Sequence, residues 1–172
     1  MFKIKFRSQA EVGDIVCWQD DVDPSCAVMG LVQSKNYRRE LKEQKGWDPP
    51  IFVKVDTYDV IVADDILKYL ADTVESCNKL GCSYESVKSA CLNDIVGTSL
   101  LRRRDVDRDK CVVRYKFSDI VRAPDQECDE THVVAVPLGT MEWRKSHNLG
   151  KGLFGDECIA LLKARGLWKG YV

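Results

Sequence analysis

Residues 64–81 read DDILKYLADTVESCNKLG, and at this point the periodicity of the chain changes. Apolar residues at 66, 67, 70, 71, 74 and 77 recur at the spacing of one helical face. Asp64 is placed to cap the N-terminus of this helix, and Gly81 to stop it by taking up a left-handed conformation. Ser83 then caps a second helix that runs through Val87, Ala90 and Cys91 to about Ile95. Residues 64–97 therefore predict a helical hairpin joined by Gly81-Cys82-Ser83.

On either side of the hairpin the signal has the period of a strand. Phe2, Ile4 and Phe6 alternate with Lys3, Lys5 and Arg7. DIVCW (14–18) and AVMGLVQS (27–34) follow as short strands across the turn-like DDVDPS. Residues 35–50 are polar and charged and end in Trp47-Asp48-Pro49-Pro50, which reads as a loop or a short helix that the prolines terminate. IFVKV (51–55) and DVIVA (59–63) read as two further strands. Beyond the hairpin, Cys111, Val113, Tyr115 and Phe117 alternate with Arg114 and Lys116. THVVAVPL (131–138) is another strand, and a short helix over roughly 157–165 is closed by Gly166. The fold class that follows is α+β.

Composition narrows the function classes. The chain has 172 residues, 45% hydrophobic and 31% charged, as expected of a globular protein with its own core. Its longest apolar runs, such as Val133–Leu138, fall far short of the ~20 residues that span a bilayer. The N-terminus lacks a continuous apolar stretch, so no signal peptide and a cytoplasmic location are expected. The eight cysteines lie mostly among apolar neighbours and read as reduced core residues. Net charge is −1, but its distribution is uneven. Residues 102–116 carry seven basic and three acidic side chains, residues 35–46 five and two, whereas 11–23 carry five acids and no base. Such patterning steers partners even near zero net charge.

No catalytic constellation is complete. Gly150, Gly152 and Gly155 spell G-x-G-x-x-G, but the preceding residues are not strand-like and no second strand with an acidic residue fits behind them. Asp156 and Glu157 at the mouth of the following helix would repel a phosphate. Cys77, Cys82, Cys128 and His132 lack the paired spacing usual in zinc sites. His132 and His147 are the only histidines, and neither stands in a nucleophile motif. Asp56, Asp59, Asp64 and Asp65 could hold Mg²⁺, although turn and cap aspartates account for the same residues. No cofactor and no metal are expected, and a phosphate-handling enzyme ranks last among the readings.

One stretch carries a family resemblance. VGDIVCW (12–18) followed by AVMGLVQS (27–34) resembles the KOW and related SH3-like small-barrel modules, with Gly13, Asp14 and Val16, then Gly30 and Val32, in the expected order. The resemblance implies an N-terminal SH3-like small β-barrel over residues 1–63, closed by the strands at 51–55 and 59 onwards. Residues 64–172 would form an α+β unit: the hairpin 64–97, then strands and a terminal helix over 98–172. The tip between the two resembling strands, QDDVDPS, is acidic where a phosphate-binding tip would be basic.

The leading expectation is a non-enzymatic regulatory protein that binds DNA or RNA through dispersed basic residues. These are Lys3, Lys5 and Arg7; Arg102, Arg103 and Arg104; Arg114 and Lys116; and Arg144, Lys145 and Lys151, with Trp143 as a stacking surface. The alternative is a protein–protein adaptor or inhibitor whose acidic face, Asp20, Asp21 and Asp23, docks on a basic partner. No membrane partner is expected.

Overall fold

The computed structural model describes residues 10–62, 66–93, 102–121 and 154–170. In chain order the elements are β1 (Ile15–Gln19), β2 (Ala27–Glu43), β3 (Ile51–Val62), α1 (Ile66–Lys79), α2 (Tyr84–Asn93), β4 (Arg102–Asp107), a 3₁₀ turn (Arg108–Lys110), β5 (Val112–Tyr115), α3 (Phe117–Ile120) and α4 (Phe154–Ala164). The five strands form one antiparallel sheet in the order β4-β3-β2-β1-β5. The fold is mixed α+β. Among the described residues β4 and β5 are the outermost strands in that order, and the sheet is not closed. Residues 102–115 pair into the same sheet as residues 15–62, and the helical hairpin lies between β3 and β4 in sequence.

The helices form where the apolar spacing placed them. Ile66, Leu67, Leu70, Ala71 and Val74 of α1 are buried in one core with Ile15, Leu31 and Ile61, cross-strand neighbours on one face of the sheet. Each such large side chain contributes roughly 1.5–3 kcal/mol by leaving water. Gly81 ends α1 at φ +69°, while its amide reaches Asn78 O and that of Cys82 reaches Cys77 O. Gly166, at φ +71°, ends α4 by the same pair of bonds. The Ser83 hydroxyl accepts from the Ser86 amide at 3.2 Å and caps α2. The Asp64 cap lies outside the described residues. α4 begins at Phe154, earlier than the sequence suggests, so Asp156 and Glu157 occupy its first turn and Gly155 lies within the helix.

The opposite face of the sheet holds a second core of Val16, Trp18, Val32, Tyr58, Val60, Val62 and Val106. Gly30 is required here. A methyl group on it would stand 3.0 Å from the Trp18 ring and 3.1 Å from Ile61 O. Gly13, at φ +99°, turns the chain into β1. Asp14, only 4% exposed, then accepts the Glu11 and Phe117 amides, each at 2.8 Å. The Gly-Asp pair thus ties the start of β1 to the start of α3, 103 residues away.

Four expectations are corrected. Residues 35–43 are not loop or helix but the outer half of β2, which leaves only 44–50 as a loop. IFVKV and DVIVA are one continuous strand, β3. An irregularity between Ile15 and Val16 sets Val113 opposite Val16 but Tyr115 opposite Ile15, so these two residues pack on opposite cores instead of sharing a face. Cys17, Cys91, Cys111 and Cys158 form no disulfide and are buried, as core cysteines should be, but Cys26 is exposed. A hydrogen bond with Cys158, together with burial, keeps Cys17 protonated.

Candidate nucleic-acid interface

β2 and β3 pair far beyond the cores. From Asn36↔Thr57 outward to Glu43↔Ile51 they form a two-stranded ribbon, and residues 41–52 are all exposed. One side of the ribbon is laid out by the register: Tyr37 opposite Asp56, Arg39 opposite Lys54, Leu41 opposite Phe52. All six of these residues are exposed. Past them, Trp47 at the tip is 102% exposed, so its indole has no cover at all.

Two arginines fix the root of the ribbon. Arg108, in the 3₁₀ turn, donates from Nε to Thr57 O at 3.0 Å and from Nη2 to Asn36 O at 3.1 Å. These two residues face each other in the register, so one guanidinium clamps both strands while lying over the Tyr58 ring at 5.2 Å. Arg38 reaches from β2 to Asp105 at 3.2 Å and to Asp107 on β4, and to Glu40 at 2.8 Å. Its bond to Glu40, with the carboxylates of Asp105 and Asp107 behind it, raises its pKa above the ordinary arginine value.

Residues 35–54 carry six cations against three acids. Lys35 pairs with Glu11 at 3.0 Å, Lys45 with Glu43 at 3.0 Å, and Arg38 with the carboxylates just named. Arg39, Lys42 and Lys54 have no carboxylate within 4.0 Å among the described residues; Lys54 lies over the Tyr37 ring at 4.7 Å. Arg39 and Lys54 are direct cross-strand partners. Two like charges in this position repel each other and destabilise the pairing. An anion seated between them would reverse the sign of that interaction.

The basic residues singled out from sequence fall into separate places. Arg102, Arg103 and Arg104 are exposed on β4. Arg102 and Arg104 stand opposite Val62 and Val60, and they line a cleft of about 300 Å³ whose rim also holds Trp18, Asp20 and Asp21. Arg114 is on β5, at the other end of the strand order, ion-paired with Glu157 and stacked on the Tyr115 ring at 4.6 Å. Lys116 is exposed just beyond it. Lys3, Lys5, Arg7, Trp143, Arg144, Lys145 and Lys151 lie outside the described residues.

The acidic turn has structural work of its own. Asp20 accepts the Val22 amide at 3.1 Å, and Asp23 accepts the Ser25 amide and the Ser25 hydroxyl. The hydroxyl of Ser25, then the thiol of Cys26, lowers the pKa of Asp23. Asp59 accepts from Ser34 and Asn36, so it serves the strand pairing. Among the described residues no group of three or more His, Cys, Asp or Glu side chains is arranged to hold a metal ion. No described helix is long and apolar enough to cross a membrane.

The positive charge of 35–46 is visible in the sequence, but no contact at these residues follows from it. Comparison with protein families, with curated proteins and with solved structures finds no match for this chain.

Proposed function

We propose that this is a non-enzymatic regulatory protein that binds nucleic acid, and that the β2–β3 ribbon is its principal contact. The observation that carries the reading is the exposed cross-strand pair Arg39↔Lys54, without a carboxylate partner among the described residues and flanked by Tyr37, Leu41 and Phe52. Cations that neutralise phosphates, set among aromatic rings, are the combination a nucleic-acid surface needs. The arginines of β4 would add phosphate contacts beyond the root of the ribbon. The small-barrel resemblance is retained as part of the proposal, with changed membership. Gly13-Asp14 leads into β1 and Gly30 lies in β2, and β4 and β5 would join the first three strands of such a module.

The test is a salt titration of oligonucleotide binding by fluorescence anisotropy, with wild type and the Arg39→Ala/Lys54→Ala variant. Loss of two phosphate contacts should flatten the slope of log K against log salt by about 1.8. Absence of binding at low salt, or an unchanged slope in the variant, refutes the proposal.

A further inference from the structure

We infer that the nucleic acid is B-form duplex DNA and that the ribbon enters its major groove; this deepens the nucleic-acid reading and rests on it. Asn36 to Glu43 at ~3.3 Å per residue makes an arm about 26 Å long, and its two backbones stand about 4.8 Å apart. The major groove of B-DNA, about 12 Å wide, admits a two-stranded ribbon of this kind. The major groove of A-form RNA is too deep and narrow for side chains to read.

Shape also separates duplex from single strand. A single strand is bound along a groove whose aromatic side chains stack successive bases. The exposed side of this ribbon is only two side chains wide, and its residues come in the cross-strand pairs Tyr37/Asp56, Arg39/Lys54 and Leu41/Phe52. That is a narrow strip suited to insertion. Within these pairs the one acid is Asp56, toward the root; Glu40 and Glu43, opposite Val53 and Ile51, lie outside them and are ion-paired with Arg38 and Lys45.

The chemistry of the strip fits the groove floor. Arg39 presents the fork that pairs with guanine O6 and N7, and Leu41 with Phe52 offers an apolar contact for thymine methyl groups. Lys54 and Lys42 would meet the flanking phosphates. Because Arg108 and Arg38 hold the root, the arm arrives already formed and little ordering entropy is lost on binding.

The experiment uses the full-length protein with one sequence prepared as duplex DNA, single-stranded DNA and duplex RNA. Binding is measured alone and in competition with methyl green, which occupies the major groove, or netropsin, which occupies the minor groove. The expected result is duplex DNA bound about tenfold tighter than either alternative, the scale of one good base contact. Methyl green should displace the protein and netropsin should not, and Arg39→Ala should remove the preference while the circular dichroism spectrum is unchanged. Equal or tighter binding of single-stranded DNA or duplex RNA, or displacement by netropsin instead, overturns the groove assignment and leaves nucleic-acid binding standing. Binding to none of the three polymers overturns both.

Discussion

Replacing Asp14 by alanine tests how the sheet is held to the segment that follows it. The carboxylate is 4% exposed, and its two oxygens accept one backbone amide each, from Glu11 and from Phe117, both at 2.8 Å. A hydrogen bond to a charged acceptor contributes about 1.5–3 kcal/mol. The two losses are not equal. The Glu11 amide is only part-buried and turns to water, whereas the Phe117 amide is buried and would be left without its acceptor. The sum expected for Asp14→Ala is about 3–4 kcal/mol, and for Asp14→Asn, which keeps one acceptor oxygen, about 1–2 kcal/mol. Urea unfolding followed by circular dichroism gives both numbers, with the midpoint shifting while the slope stays constant. The two variants must rank in that order. Asp14→Ala within about 0.5 kcal/mol of wild type, the range of an ordinary surface substitution, would refute the role given to this tie.

Three other outcomes follow from single contacts. Gly30→Ala should cost about 1–3 kcal/mol by overpacking, because the added methyl meets the Trp18 ring and the Ile61 carbonyl; an unchanged melting temperature contradicts the packing described. Lys54→Glu turns a like-charge cross-strand pair into an ion pair, so it should gain about 0.2–1 kcal/mol of stability while nucleic-acid binding weakens. A variant that loses stability, or binds as wild type does, would count against the strip. The third concerns alkaline pH. Burial, with the negative charge of Asp107 and Asp109, pushes the Cys111 thiol from 9.0 up to about 12. Its contribution to stability is therefore complete below pH 9 and is lost as pH rises toward 12, at no more than about 1.4 kcal/mol per pH unit. Cys111→Ala should flatten that decline, and in the native protein exposed Cys26 should be alkylated at pH 9 long before Cys111.

What was legible in the sequence depended on burial. α1 could be read from its spacing because one of its faces is in the core, and Gly81, Ser83 and Gly166 could be read because each supplies a specific terminal geometry. The outer half of β2 could not. YRRELKE (37–43) has helix-forming residues and no buried side, since the strand is held there by backbone pairing to β3 and by two arginines at its root. Period-2 alternation records which face enters a core, and a ribbon that stands in solvent leaves little such record. The same absence hid the candidate site. The charge of 35–46 was visible, but the opposition of Arg39 to Lys54 depends on a register that includes two shifts along β2. Arg102–Arg104 were picked out as a basic run, yet only the sheet shows two of them sharing a cleft with Asp20 and Asp21. That Tyr115 packs on the other core from Val113 is hidden for a related reason, since nothing in the local pattern marks the irregularity at Ile15/Val16.

The central claim is that the ribbon touches nucleic acid, and photo-crosslinking to an oligonucleotide followed by peptide mass spectrometry addresses it directly. The account predicts crosslinks at Tyr37, Trp47 or Phe52, the exposed aromatic residues of the arm, suppressed by added salt. Crosslinks confined to peptides outside residues 35–56, or none under conditions where binding is saturated, would contradict it.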